Sequence, residues 1–107
     1  MLKFFKKMFA PTTDNNLIDA LQNETFLVDV RTPAEFSAGS VKGAVNIPLD
    51  KVSSQLSKFK GKKTIVVFCQ SGNRSSQAKR ILEQNGCRQV INGGSWQNVK
   101  QLLTKLN

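Results

Sequence analysis

The chain has 107 residues and a mass of 11.9 kDa, which suits one compact domain. It contains no histidine, which excludes Ser-His-Asp triads, Cys-His pairs within the chain, and histidine-based zinc or haem sites. Two cysteines are too few for a four-thiolate metal site, and we expect neither a metal nor another cofactor. The net charge of +9 favours an anionic substrate or partner.

The N-terminal segment, residues 1–11, is basic and apolar, and the predicted domain covers residues 12–107. Apolar side chains in this segment recur with the spacing of one helical face: Leu2, Phe5 and Phe9. One interpretation is weak contact of residues 1–9 with a membrane surface or a protein. The favoured interpretation is a helix packed on the domain, because one short basic helix binds membranes weakly.

Lysines interrupt the apolar stretch of this segment, which argues against a signal peptide. No run of the sequence approaches the roughly 20 apolar residues of a transmembrane helix. Two thiols in one small domain fit a reducing compartment. We therefore expect a cytoplasmic protein.

The first half of the chain predicts helices and strands in alternation. A helix follows the N-cap candidates Thr12, Thr13 and Asp14. Short apolar runs predict strands over residues 26–30 and 44–47. Two further helices are predicted: one over residues 34–38, after Pro33 and before Gly39, and one with the apolar stripe Val52, Leu56 and Phe59.

The clearest strand covers residues 64–69, which are apolar and β-branched as in a parallel strand covered on both faces. A polar loop over residues 70–73 follows, and a helix is predicted to begin at Arg74 or Ser75.

A last strand is predicted over residues 88–92, and Gly93-Gly94 is predicted to turn the chain. The apolar stripe from Trp96 to Leu106 predicts a terminal helix. This alternation predicts an α/β fold, a single domain with a mainly parallel central sheet flanked by helices on both faces.

Cys69 is the candidate catalytic residue because it ends the clearest strand, and sites in open parallel sheets form at the carboxyl ends of strands. The loop after it is small and polar and contains a glycine, so several backbone N–H groups can turn inward. The next helix adds its positive N-terminal end. Both features predict a thiolate that is nucleophilic near neutral pH and lies beside a site for an anion. The alternative is a buried core cysteine.

Four ordered signatures resemble those of the single-domain rhodanese-like sulfurtransferases. They are LVDVRTPAEF (27–36), GSVKGAVNIP (39–48), CQSGNRS (69–75), and Gly93-Gly94 followed by Trp96. The match extends from about Leu17 to Leu106, which is nearly the whole domain. The resemblance implies a single rhodanese-like α/β domain.

The resemblance also implies that Cys69 carries a sulfane sulfur as a persulfide. The thiolate would take this sulfur from a small anionic donor such as thiosulfate. It would then pass the sulfur to cyanide, a thiol or a protein acceptor. The loop that binds substrate and persulfide would comprise Gln70, Ser71, Gly72, Asn73, Arg74 and Ser75. Arg74 would close this loop and add positive charge.

Three further residues are implied as supporting ones. Asp29 and Arg31 match the family's Asp-x-Arg, for which we expect a mainly structural role through charge-assisted hydrogen bonds; catalysis by Arg31 is the alternative. Glu35 is expected to face the cysteine loop as part of a pocket wall. Ser40 stands where the family frequently has a structural histidine, so we expect activity to be retained. Cys87 is expected to be an apolar filler rather than a resolving thiol.

Other functions remain open. A sulfur carrier or docking module, loaded by a protein donor, would use the same cysteine without turnover. Phosphatases and arsenate reductases of this fold place five residues between cysteine and arginine, whereas four separate Cys69 from Arg74, which predicts a tighter ring. Nucleic-acid binding is not expected, because the lysines are scattered and no RNA-binding signature is present.

Overall fold

The computed structural model describes residues 15–106 of the chain. The strands are β1 (Phe26–Asp29), β2 (Val45–Asn46), β3 (Ile65–Cys69) and β4 (Val90–Ser95). The helices are α1 (Asn15–Gln22), α2 (Pro33–Ala38), α3 (Leu49–Val52), α4 (Asn73–Gln84) and α5 (Trp96–Leu106), with a 3-10 helix, Ser53–Phe59, directly after α3. The predicted N-terminal segment, residues 1–11, and the cap candidates Thr12, Thr13 and Asp14 lie outside the described residues.

The described strands form one parallel sheet in the order β2-β1-β3-β4, and β3 is buried along its whole length. Ile65, Val67 and Cys69 belong to the apolar layer under α3, the 3-10 helix and α4. Val66 and Phe68 belong to the layer under α1 and α5. Burying each large apolar side chain of these layers contributes roughly 1.5–3 kcal/mol. Helices thus cover both faces of a parallel sheet, which confirms the predicted α/β fold.

The helix predicted through Val52, Leu56 and Phe59 is interrupted in the structure. α3 ends at Val52, and the 3-10 helix follows it directly. Within the 3-10 helix, Gln55 has the non-helical angles φ −124° and ψ 33°. The three apolar residues still reach the core. The pattern therefore predicted their burial correctly but not the kink, because apolar residues three to four apart suit both kinds of helix.

The predicted turn at Gly93-Gly94 is wrong, because both glycines continue β4. Asn92 pairs with Val67, whereas the next pair joins Gly94 to Phe68. Gly93 is therefore the extra residue of a β-bulge, which lets the strand bend without leaving the sheet.

Only glycine fits at position 93 without a shift of its neighbours. A Cβ atom there would lie 2.8 Å from Val99 Cγ2 and 3.1 Å from Val66 Cγ1. Because the bulge keeps the chain paired, β4 reaches Ser95 opposite Cys69. No helix within residues 15–106 is long and apolar enough to cross a membrane.

Candidate active site

Cys69 is the last residue of β3, and its side chain is enclosed by the loop that follows. It is a free cysteine with 0 % of its surface exposed. The Gly72 N–H donates to its Sγ atom at 3.0 Å. The Ser75 Oγ atom lies 3.4 Å from the same sulfur. The carboxyl end of the central strand thus holds a thiol surrounded by polar groups.

Two opposing effects act on the pKa of the Cys69 thiol. Burial raises it, because a thiolate is poorly solvated there. Hydrogen bonds from the Ser75 hydroxyl and from the backbone of Ser75, Ser71 and Gly72 lower it. The hydrogen bonds prevail, so the pKa lies below its ordinary value of 9.0. This direction agrees with the expectation from the polar loop and the helix start.

Gly72 gives the loop its shape. Its φ of +95° is in the left-handed region, where a side chain is strained. A Cβ atom there would also lie 3.3 Å from Gly94 Cα, in the bulged part of β4. Glycine therefore lets the loop approach β4 closely and point its N–H at the sulfur, just before α4 begins at Asn73.

Asn92 on β4 joins the loop, α4 and its own strand through one amide. Its Nδ2 atom donates to the Gly72 carbonyl at 3.0 Å. Its Oδ1 atom accepts from the Ser75 hydroxyl at 2.7 Å and from the Gly94 N–H at 2.9 Å. Sequence reasoning missed this residue. The available signal was an asparagine inside a strand run, where this residue type is depleted.

Arg74 is held by Glu35 rather than by the sulfur. Its Nη1 and Nη2 atoms donate to the two Glu35 carboxylate oxygens at 2.8 and 3.1 Å. The hydrogen bond from Arg74 is the main reason that the pKa of Glu35 falls to about 2, and the pKa of Arg74 is raised in turn. The negative charge of Cys69 also raises the pKa of Arg74 to a lesser degree. The guanidinium therefore lies close enough for its charge to act on the thiolate.

Glu35 is positioned by the start of its own helix. Thr32 caps α2 by accepting from the Glu35 N–H at 3.2 Å, while the Glu35 carboxylate accepts from the Thr32 N–H at 3.0 Å. This reciprocal capping box fixes the carboxylate against the helix end. α2 thereby presents Glu35 to Arg74, in line with the expected location of Glu35 facing the cysteine loop.

Asp29 and Arg31 form a buried ion pair at the end of β1. Their N–O distance is 2.7 Å, and the side chains are 0 % and 4 % exposed. Arg31 also donates to the Gly39 carbonyl at 2.6 Å, and its guanidinium lies 4.9 Å from the Trp96 ring centroid. Ser40 donates to Asp29 Oδ2 at 2.6 Å. These contacts tie neighbouring loops together.

The predicted loop residues separate into two groups. The structure brings Ser71, Gly72 and Ser75 to the sulfur. Gln70 and Asn73 are exposed, and Arg74 is joined to Glu35. Within residues 15–106, no three Cys, Asp or Glu side chains are grouped so that they could hold a metal ion.

A family model described as a rhodanese-like domain matches residues 13–102 of the chain. The thiosulfate sulfurtransferase PspE of Escherichia coli (strain K12) is 36% identical over 74 residues, which cover 67% of this chain and 71% of that protein. A putative sulfur carrier protein, YrkF of Bacillus subtilis, is 33% identical over 66 residues, which cover 62% of this chain and 36% of that protein. Among solved structures, a rhodanese with anions from E. coli matches with a TM-score of 0.65 and 35% identity, over 70% of this chain and 91% of that one.

The chain spans only part of the length of two other curated relatives. It spans 52% of the uncharacterized protein YqhL of Bacillus subtilis, at 38% identity. It spans 64% of a sulfurtransferase of Allochromatium vinosum, at 36% identity. The aligned parts cover 62% and 64% of this chain, respectively.

Proposed function

Because the chain belongs to the rhodanese-like domain family, we propose that it is a sulfurtransferase whose nucleophile is Cys69. The observation that carries this proposal is the sulfur itself, which lies at the end of the central strand with the Gly72 N–H at 3.0 Å and a lowered pKa. The sulfurtransferase names of two relatives support the same chemistry. A lowered pKa increases the thiolate fraction, and the thiolate is the nucleophilic form.

The first half-reaction loads the cysteine. The Cys69 thiolate attacks the outer sulfur of thiosulfate, a new S–S bond forms, and the S–S bond of thiosulfate breaks. Sulfite leaves with the bonding electron pair, and Cys69 becomes an anionic persulfide. Charge balances, because the thiolate and the thiosulfate dianion give a persulfide anion and the sulfite dianion. No oxidant is needed.

The second half-reaction removes the transferred sulfur from Cys69. Cyanide or a thiolate attacks the terminal sulfur of the persulfide, and the Cys69 thiolate leaves. The N–H groups of Ser71, Gly72 and Ser75 stay directed at the negative charge in both half-reactions. The loop therefore stabilises anionic sulfur without a histidine, which the chain lacks.

Arg74 contributes positive charge near the Cys69 thiolate. Its Nη1 and Nη2 atoms each donate one hydrogen bond to Glu35, which leaves three of the five guanidinium N–H groups for an anionic substrate. The length of the loop argues against a phosphatase, because four residues separate Cys69 from Arg74 where phosphatases of this fold place five.

The second candidate function is a sulfur carrier that is loaded by another protein and does not turn over with small donors. The name of the relative YrkF favours it. We place either activity in the cytoplasm, since both described cysteines are free thiols.

The test is intact mass before and after incubation with thiosulfate, followed by peptide mapping. We expect a gain of one sulfur atom on Cys69, which cyanide removes. The matched control is the Cys87→Ser chain, which should load equally well. Loading of Cys69 only by a persulfidated protein donor would identify the carrier instead. Loading of neither kind would overturn both functions.

A further inference from the structure

The backbone around Asn92 fixes the orientation of its amide. Nδ2 donates to the Gly72 carbonyl at 3.0 Å, and Oδ1 accepts from the Gly94 N–H at 2.9 Å. Exchanging the two ends of the amide would set an oxygen against a carbonyl and an NH2 group against an N–H. Oδ1 therefore faces Ser75 as an acceptor only.

The Ser75 hydroxyl has one proton and two neighbours that compete for it. Oγ lies 2.7 Å from Asn92 Oδ1, which cannot donate, so the proton points to Asn92. Oγ is then left as an acceptor toward Cys69 Sγ at 3.4 Å, and this contact needs the S–H proton. The arrangement is thus that of the thiol form of Cys69.

Ionisation of Cys69 reverses this preference. A thiolate or a persulfide anion has no proton to give to Ser75 Oγ and is a strong acceptor. Rotation about the Cβ–Oγ bond of Ser75 turns its proton from Asn92 to the sulfur without moving a heavy atom. Asn92 Oδ1 keeps the Gly94 N–H, so it retains a partner after the rotation.

We propose that Asn92 is a positioning residue that competes with the Cys69 sulfur for the proton of the Ser75 hydroxyl. Asn92 thereby stabilises the thiol before sulfur transfer and releases the hydroxyl to the anionic sulfur during it. This inference rests on the proposed function, because it takes Cys69 as the nucleophile.

Among residues 15–106, two ion pairs supply charge near Cys69. Arg74 on α4 is paired with Glu35 on α2, and Arg31 is paired with Asp29 at the end of β1. Substitutions at Asn92 and Ser75 change none of these charges. The effect of these charges on the thiol pKa is therefore the same in all four chains of a double-mutant cycle, and it cancels.

The experiment is a double-mutant cycle of Asn92→Ala and Ser75→Ala, made in a Cys87→Ser chain so that only Cys69 reacts. The alkylation rate with iodoacetamide is followed against pH, and its midpoint gives the thiol pKa. Ser75→Ala alone should raise the midpoint, since the thiolate loses a donor. The change in midpoint caused by Asn92→Ala should differ between the two backgrounds. With Ser75 present, this change should be about one pH unit more negative than in the Ser75→Ala chain.

Equal shifts from Asn92→Ala in both backgrounds, or a difference of the opposite sign, would overturn the role of Asn92. Alkylation uses no sulfur donor, so this result is independent of sulfur transfer. Loading by thiosulfate or a protein donor is measured on the unsubstituted chain. Its failure overturns the proposed function, while the cycle still decides whether Asn92 competes for the proton.

Asn98→Ala is the matched control. The Asn98 Nδ2 atom on α5 donates to the Gly93 carbonyl at 3.2 Å, so the substitution removes an amide that contacts the same part of β4 without touching Ser75. It should leave the midpoint unchanged. Should Asn92→Ala fail to fold, the Raman S–H band of Cys69 decides the question. This band should lie at lower frequency with Ser75 than in Ser75→Ala, and an unchanged band would contradict the proposal.

Discussion

Cys69 and Cys87 are both free thiols, and both contact the apolar layer under α4, yet their pKa values shift in opposite directions. Burial raises the pKa of Cys87. Burial acts on Cys69 in the same sense, but hydrogen bonds from the loop reverse it. Burial is therefore common to both cysteines, and directed N–H and O–H groups make the difference.

Nearby positive charge does not replace those directed groups. Cys87 lines a groove of about 580 Å³ together with cationic residues: Lys60, Lys62, Lys63 and Arg88. The pKa of Cys87 nevertheless rises, because burial disfavours its thiolate. The high net charge of the chain thus says little about which cysteine reacts.

The largest expected effect comes from exchanging one thiol at a time. Cys69→Ser should abolish sulfur loading, because serine cannot form the persulfide, whereas Cys87→Ser should load like the unsubstituted chain. Intact mass after incubation with thiosulfate or a protein donor measures both. Sulfur found on Cys87, or loading that survives in Cys69→Ser, would remove the distinction between the two cysteines.

The next effect compares two glycines with nearly the same φ angle, Gly72 (φ +95°) and Gly86 (φ +94°). Each substitution to alanine should cost about 1–2 kcal/mol, because both place a side chain in the left-handed region. Gly72→Ala should also slow sulfur loading by roughly tenfold or more, since the added Cβ lies 3.3 Å from Gly94 Cα and displaces the N–H that holds the sulfur.

Gly86→Ala is the control for backbone strain, because nothing lies within 4 Å of its added Cβ. It should load at the normal rate although Gly86 directly precedes Cys87. Urea unfolding and the loading rate measure the two effects separately. Equal loading rates in both variants would mean that the Gly72 N–H is dispensable.

A smaller effect is expected in the dependence of stability on pH. The pKa of Cys69 is lowered by folding, so its stabilisation is complete above the ordinary value of 9.0 and is lost as pH falls through the lowered pKa. The pKa of Cys87 is raised, so its stabilisation is present below 9.0 and is lost as pH rises through the raised pKa. Their contributions therefore have opposite slopes.

The free energy of unfolding of each serine variant, subtracted from that of the unsubstituted chain, isolates the two slopes. The difference for Cys69→Ser should grow as pH rises toward 9.0, and that for Cys87→Ser should shrink above it. Two slopes of the same sign would contradict the opposite pKa shifts.

The smallest effect concerns charge at a distance. Glu35→Gln leaves Arg74 unpaired and should lower the pKa of Cys69 by roughly half a unit, while Arg74→Ala should raise it by a similar amount. Salt should weaken both shifts. Arg88→Ala, which removes the same charge beside Cys87, is the control and should leave Cys69 unchanged. The midpoint of Cys69 alkylation in the Cys87→Ser chain measures all three.

The pair of Glu35 and Arg74 should stay charged across this measurement. Since the pKa of Glu35 is about 2, its carboxylate remains ionised at any pH at which the thiol titrates. The Cys69 profile should therefore show one step. A second step at acidic pH that disappears in Glu35→Gln would mean that the ion pair is weaker than its two short contacts indicate.

Local sequence patterns predicted the elements that depend on local forces. The apolar run of β3, the helix start after the polar loop, and Pro33 in the first turn of α2 all occur as expected, within a residue or two. These features depend on burial patterning and on the φ preference of proline, both of which are visible in a few neighbouring residues.

The contacts that complete the site are not local. Arg74 and Glu35 are 39 positions apart, and Asn92 meets Gly72 across 20 positions. Such pairs form only when the sheet brings α2, α4 and β4 together, and no spacing rule along the chain encodes them. A resemblance to a family could suggest that Glu35 faces the loop, but it carried no information about Asn92.

Because of the bulge at Gly93, the geometry of the site depends on the number of residues in β4. Side chains alternate across a strand, so one extra residue exchanges the faces of everything after it. Deleting Gly93 would remove none of the side chains that contact the sulfur. It would nevertheless move Gly94 and Ser95 to the opposite faces of the strand and rotate the start of α5. We therefore expect β4 to be far less tolerant of insertions and deletions than of substitutions at its half-buried positions.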